Sequence, residues 1–257
     1  MLVIGHRGAN KEALENSWSA FALAIEAGAE RIEFDVQLSR DGQAVVMHDD
    51  HMLRTTGKPW RISEHTRAEL ATVKLLNGEP LPFLDEVVAR ILPRCELNIE
   101  IKGSSERLAA EVVRVVGEHP LRHKVIVSCF QVEPLAWIKN HAPELQRACL
   151  WSNDTFVWPF FAVMAPQVFL DQAGTRILHP HVSLVDANLM DQAEARGWLV
   201  YAWVEMAGED HDREGLWTTM KTFGLHGLCT NYPRELNAWL KEGALHDQSF
   251  ASRPRFY

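Results

Sequence analysis

Short apolar runs alternate with helix-period segments from one end of this chain to the other. The apolar runs lie at Leu2–Gly5, Arg31–Leu38, Glu96–Ile101, Lys124–Cys129, Gln146–Trp151, more weakly at Arg176–His179, then at Leu199–Trp203 and Gly227–Thr230. Between them the spacing predicts helices over Ser17–Ala27, Leu84–Leu92, Glu106–Glu118, Pro134–His141, Leu184–Arg196, Gly215–Phe223 and Arg234–Lys241. A further, less cleanly amphipathic helix is expected over 155–165. Strands that recur with a helix between them run parallel, with the helices packed outside the sheet. About eight such units in a chain of about 250 residues is the size of a (β/α)8 TIM barrel. An open doubly wound sheet is the competing α/β arrangement. No G-x-G-x-x-G follows the first strand, which weakens a dinucleotide-binding version of it.

Two stretches break the rhythm. "LSRDGQAVVMHDD" reads as a hairpin turning at Asp41-Gly42, a dipeptide suited to a tight two-residue turn. Asp49–Pro82 is then a polar excursion with few periodic signals, expected to be a small insertion after the second strand. The polar stretch 246–257 is expected to be a loosely packed tail. The rest reads as one barrel spanning 1–257. Asn16 is expected to cap the first helix and Gly28 to stop it.

The formal net charge is −8. That argues against a nucleic-acid footprint, though not against a small anionic ligand in a locally positive pocket. No apolar run reaches the length of a membrane span, so no stable membrane anchor is expected. No basic-then-apolar leader opens the sequence, and the expected location is cytoplasmic. The four cysteines are far apart and form no C-x-x-C pair; buried free thiols are expected. Oligomeric state is left open.

"RIEFDVQL" carries the strongest chemical signal. A strand buried on both faces should be apolar on both. Here Ile32, Phe34 and Val36 share one face, while Glu33 and Asp35 share the other. "ELNIEIK" repeats the pattern, with Asn98, Glu100 and Lys102 on one face. Buried carboxylates are costly unless something pairs with them. Three of them near the C-terminal ends of two barrel strands would converge where a barrel carries its site. Convergent carboxylate oxygens suit a hard divalent cation, Mg²⁺ or Ca²⁺. The blander reading makes the acids a solvated face and Lys102 their ion-pair partner. His6 and His48 each follow an apolar run and reach toward the same rim. Their unperturbed pKa of about 6.5 suits acid–base work near neutrality. Arg7, beside His6, offers a planar fork for phosphate. Together these residues fit metal-assisted cleavage of a phosphate ester.

"HRG" after the first strand, then "ENSWSAFALAIEAGAERIEFDVQLSRDGQAVVMHDDHMLRTT", "LNIEIK", "YAWV" and "GLCTNYP" together resemble the glycerophosphodiester phosphodiesterases, in their short bacterial form. The resemblance is dense over residues 3–56 and 81–102, and thinner over 199–233. It implies a TIM barrel with an insertion after the second strand. It implies hydrolysis of small glycerophosphodiesters to sn-glycerol 3-phosphate and an alcohol. It further implies one divalent cation on Glu33, Asp35 and Glu100, His6 and His48 as the acid–base pair, phosphate contacts from Arg7 and Lys102, and Trp203 on the substrate side. Asn16, in "ENS", matches the family's "ENT" and is expected to order the first loop. Two positions depart from the family's pattern: Glu205 stands where Asn is frequent, and Asn231 where "TD-x-P" has Asp. Neither removes an expected cation ligand or histidine. The alternatives are lysophospholipase D activity on the same barrel, with Met52–Leu53 and Trp158–Met164 as candidate groove residues; a non-catalytic phosphate-binding barrel; and a sugar-active barrel using Glu33 and Glu100 as an acid pair.

Overall fold

The computed structural model describes residues 1–152, 166–205, 209 and 211–251. Its strands are β1 (Leu2–His6), β2 (Arg31–Leu38), β3 (Ala44–Val46), β4 (Glu96–Ile101), β5 (Val125–Cys129), β6 (Gln146–Trp151), β7 (Ile177–Pro180), β8 (Leu199–Trp203) and β9 (Gly227–Thr230). Eight of them pair in parallel in the order β1-β9-β8-β7-β6-β5-β4-β2, and a β1–β2 pairing closes the ring. The fold is a (β/α)8 TIM barrel. β3 lies outside the ring, antiparallel to β2 with Val36 opposite Val46 and Leu38 opposite Ala44, which is the expected hairpin.

Helices occupy most of the connections, with bounds a few residues from those expected. The first covers Trp18–Glu26, and Gly28 follows its end at φ 79°, so the expected stop holds. The expected cap does not. Ser17, not Asn16, takes the N-cap, its side chain accepting from the Ala20 N–H. The helix expected from Leu184 begins at Ala187, behind a 3-10 turn over Val182–Leu184 and an Asp186 cap. The last helix runs over Pro233–Ala251, past its expected end and into the stretch read as a polar tail. The helix expected over 155–165 lies wholly within 153–165, outside the described residues.

Two layers of packing hold the barrel. The larger lies between strands and helices and includes Phe21, Ile32, Phe34, Val36, Leu97, Ile99 and Val127, all fully buried. Each side chain of this kind contributes about 1.5–3 kcal/mol by leaving water. The smaller fills the lumen with Ile4, Ile126, Ala148, Ile177, Tyr201 and Cys229. The excursion after β3 has its own apolar cluster, built from Val45, Met47, Met52, Ile62, Leu70, Val73, Leu75, Leu81 and Phe83. Its helices, Leu53–Thr56 and Arg67–Leu70, are too short to show a period in the sequence. All four cysteines are free and buried. Among the described residues no helix is long and apolar enough to cross a membrane.

Candidate active site

Strand register brings the polar residues together in two rows. His6 on β1 stands level with Glu33 on β2, and Glu33 with Asn98 on β4. One row nearer the C-terminal mouth, Asp35 stands level with Glu100, and Glu100 with Ser128 on β5. Ligand-capable atoms of Glu33, Asp35 and Glu100 lie within 4.8 Å of one another, and all three residues are buried. A cavity of about 520 Å³ opens over them, lined also by His6, Arg7, His48, Lys102 and Trp203. His6, Arg7, Glu33, His48, Glu100, Lys102 and Trp203 thus meet one space, and Asp35, 1% exposed, lies just behind it within ligand distance of the other two acids.

The loop after β1 is bent to serve it. Arg7 sits at φ 53° and Gly8 at φ 84°, a left-handed region that side chains other than glycine rarely adopt. A Cβ on Gly8 would lie 2.6 Å from the Ala20 backbone, so only glycine lets this turn approach the first helix. In that conformation the Arg7 N–H donates to Glu33 Oε2 at 3.0 Å. Its guanidinium lies 3.4 Å from Asp35 and 3.0 Å from Glu15. On the other flank Lys102 Nζ lies 2.7 Å from Glu100 and 3.3 Å from Asp35. The ion-pair role allowed for Lys102 is therefore real in this state.

The acids respond unequally to their surroundings. Burial pushes Glu33 well above the usual carboxylate range, and the charges of Asp35 and Glu100 add to the shift. Glu100 is also raised, by burial first, against the pull of Lys102. For Asp35 burial acts upward too, but Lys102, Arg7 and His48 together hold it below the ordinary value. Three carboxylates against Arg7 and Lys102 leave one negative charge. A divalent cation would turn that into one positive charge, which a phosphodiester monoanion would cancel. Glu33 Oε1 has no hydrogen-bond partner although buried, a free ligand atom facing two further acids. The donor set is all oxygen and suits Mg²⁺ or Ca²⁺.

The two histidines are held by different partners. His6 Nδ1 meets Asn231 Oδ1 at 2.8 Å. That oxygen also accepts from Asn10 Nδ2 at 2.7 Å, and the Asn231 N–H donates to buried Glu209 at 2.8 Å. His48 lies just beyond β3 and meets Asp49 Oδ1 through its Nδ1 at 2.7 Å. Arg54 holds Asp49 at 2.7 Å and Glu15 at 2.6 Å, so a chain of charges runs from His48 back to Arg7. Burial, with the Arg7 charge, lowers His6 to about 4. The buried ring is held neutral.

Sequence reasoning missed Glu15, Asp49, Arg54, Glu209 and the contact of Asn231 with His6. Glu15 was within reach: it precedes Asn16 in "ENS", and an acid in a loop that joins an "HRG" turn to a helix needs a cation. Asn16 itself does order the first loop. At φ 53° it turns its side chain inward and donates to Asp35 Oδ2 at 2.9 Å. Of the groove residues, Met52 is buried in the insertion cluster and Leu53 is 57% exposed. Trp158–Met164 lies outside the described residues.

The family described as the glycerophosphoryl diester phosphodiesterase family matches residues 6–235. The chain belongs to that family. Among fellow phosphodiesterases, one from Caldanaerobacter subterraneus subsp. tengcongensis is 30% identical over 253 residues, covering 94% of this chain and 98% of the relative. A lysophospholipase D from Rattus norvegicus is 25% identical, covering 92% of this chain and 85% of its own length. In structure the chain is similar to an Oleispira antarctica phosphodiesterase solved with the product sn-glycerol-3-phosphate. That likeness has a TM-score of 0.81 at 27% identity, over 94% of this chain and 97% of the other.

Proposed function

We propose that this enzyme hydrolyses glycerophosphodiesters to sn-glycerol 3-phosphate and an alcohol, with one divalent cation, Mg²⁺ or Ca²⁺, on Glu33, Asp35 and Glu100. One observation carries the reading. Glu33, Glu100, two histidines and two fixed cations line a single cavity, with Asp35 buried within ligand distance of both acids, in a chain of this family. The product held by the Oleispira antarctica relative supports the substrate class. A bound cation would supply Lewis-acid stabilisation of charge developing on the phosphate oxygens.

The protein's own groups do the rest. Arg7 and Lys102 hold the phosphate, exchanging part of their contact with the acids for it. His6 takes the proton from the attacking oxygen, that of water or of the substrate's own 2-hydroxyl (in which case water then opens the cyclic phosphate), as the new P–O bond forms. The reason is its tautomer: Asn231 Oδ1 already accepts from Asn10, so the His6 Nδ1 carries its hydrogen toward that oxygen. The lone pair is then on Nε2. His48 gives its proton to the leaving alkoxide as the P–O bond to the alcohol breaks. Its Nδ1–H points at the Asp49 carboxylate, a partner that accommodates a positively charged ring.

The test is release of glycerol 3-phosphate from glycerophosphodiesters with Mg²⁺ or Ca²⁺ supplied. EDTA should abolish turnover, and His6→Ala or His48→Ala should each lower kcat about 10²–10⁴-fold. EDTA-insensitive activity, or near wild-type turnover in either variant, would overturn the mechanism. Comparing glycerophosphocholine with its acylated form separates this activity from that of a lysophospholipase D.

A further inference from the structure

The acid cluster occupies only one side of the barrel mouth. Glu33, Asp35 and Glu100 stand on β2 and β4. In the closed strand order β4 lies across the ring from β8, and β2 across from β7. The facing wall is therefore made by residues at the ends of β7 and β8: His181 just after β7, Trp203 at the end of β8, and Glu205 two residues on. Among the described residues, the cavity lining on this wall includes no buried carboxylate, lysine or arginine. It carries aromatic rings and one carboxylate.

The rings are braced against one another. Phe130, just after β5, meets Trp203 edge to face with centroids 5.8 Å apart. His181 packs on the indole from elsewhere at 4.7 Å and 69°. Phe130, Trp203 and Glu205 line the same cavity as His6, Arg7 and Lys102. The Glu205 backbone carbonyl accepts from Asn231 Nδ2 at 3.4 Å, which ties this segment to the His6 partner. Its side chain is exposed. Among the described residues no lysine or arginine pairs with it, and burial holds the nearby His181 ring below its ordinary value against the pull of this carboxylate.

We propose that Trp203, Phe130 and Glu205 form the alcohol subsite, and that it selects a cationic alcohol, one carrying an ammonium or trimethylammonium group, over a neutral polyol. This rests on the phosphodiesterase reading above. With the glycerol phosphate half held by the acid cluster, Arg7 and Lys102, the departing half lies against the wall across the mouth. An indole face attracts a cation through its quadrupole, and best where the cation is partly desolvated. A carboxylate without a cationic partner adds direct attraction. With a divalent cation on the acids, the cavity would have net positive charge where the phosphate sits, and it has negative charge with aromatic surface across from it. That arrangement is complementary to a zwitterionic diester. A neutral headgroup gains nothing from Glu205, and an anionic one is repelled.

The experiment is steady-state kinetics on the full chain, with cation supplied, for two diesters that differ in headgroup charge: glycerophosphocholine and glycerophosphoglycerol. The readout is the ratio of their kcat/KM values in wild type, Glu205→Gln and Glu205→Lys. Because the side chain is exposed, neither change threatens the fold. Glu205→Gln should lower the choline-to-glycerol ratio about three- to tenfold, and Glu205→Lys should lower it further. Raising ionic strength should shrink the wild-type ratio, since this carboxylate is screened by salt. A ratio that Glu205→Gln leaves unmoved overturns the subsite, whatever the absolute rates do. Wild-type protein inactive on both diesters would instead sink the phosphodiesterase reading, and the subsite with it.

Discussion

The two faces of β2 are equally buried and chemically opposite. Outward, Ile32, Phe34 and Val36 have no exposed surface and pack under the helices, with Phe34 and Phe21 ring centroids 5.7 Å apart. Inward, Glu33 and Asp35 are 4% and 1% exposed; the Arg7 N–H meets Glu33, while Asn16 and the charges of Arg7 and Lys102 meet Asp35. The outer face stabilises the fold. The inner face costs stability at Glu33, whose ionised form has left water without full compensation. What the strand teaches is that site and scaffold sit one residue apart, and that the same burial serves each for a different reason.

The sharpest way to break that comparison is one substitution on each face. Glu33→Gln removes a cation ligand and should lower turnover at least about 10³-fold, on the scale of losing a principal charge-stabilising group. In EDTA its melting temperature should be no lower than that of wild type. Glu33 has its folded pKa raised, so ionising it at neutral pH disfavours the fold, and an amide removes that penalty. Phe34→Ala should do the reverse. It leaves every site residue in place and costs about 3–5 kcal/mol of stability through lost burial and a cavity, measured by urea unfolding. A Glu33→Gln protein that unfolds as readily as Phe34→Ala would show that the inner face holds the fold after all.

How much of this was legible depended on which face a residue serves. The barrel was legible because parallel strands buried on both sides leave runs such as "VIVSC" and "GLCT" in the chain. The acids were legible because Glu33, Asp35 and Glu100 break that rule at a spacing of two. The supporting contacts were not. His6 and Asn231 are 225 residues apart, and no periodicity links a histidine to an amide across a closing barrel seam. Asn16 and Ser17 are both good helix caps, and nothing local says which one caps. The choice is made by Asp35, which draws Asn16 inward and leaves the cap to Ser17. Asp49 shows no signal alone, and Arg54, which ties it to Glu15, lies in an insertion without a readable period.

The response of the inner face to pH sharpens the comparison next. Glu33 and Glu100 have raised folded pKa values, so without cation their contribution to stability is full below about 4.5, the ordinary glutamate value, and is lost as pH rises through the folded values. Asp35 is lowered and runs the other way, its contribution lost as pH falls. Ionising Glu33 and Glu100 in the cation-free cluster is therefore a burden at neutral pH. A cation that binds the ionised acids relieves that burden only where they are ionised. The gain in melting temperature on adding Mg²⁺ or Ca²⁺ should therefore be larger at pH 8 than at pH 5. It should vanish at both in Asp35→Ala. Calorimetric melting at the two pH values checks this, and an equal gain at both would remove the acids' ionisation from the account. The outer face carries no titrating group, and Phe34→Ala should lower the melting temperature alike at either pH.

The smallest expected effect concerns how His6 is held. Its partner is a neutral amide, whose hydrogen bond pulls the ring upward less than burial and the Arg7 charge push it down, to about 4. Asn231→Asp keeps an oxygen where His6 Nδ1 and Asn10 Nδ2 both donate, and adds a negative charge. An opposite charge at hydrogen-bond distance favours the protonated ring, by about 1–3 pKa units in comparable settings. The base would then be neutral over a narrower range, and the acid limb of the kcat/KM profile should move to higher pH. Near the plateau the rate should change little. The new carboxylate also meets Glu209, which accepts from the 231 N–H at 2.8 Å and is already raised by burial. Stability should therefore fall modestly at neutral pH and recover as pH drops and one of the two acids takes a proton. A structural role for Asn231 alone would lower the rate at every pH without moving the limb. A shifted limb with an intact plateau would show that this amide sets the proton affinity of the base while the cation-binding acids across the mouth stay as they are.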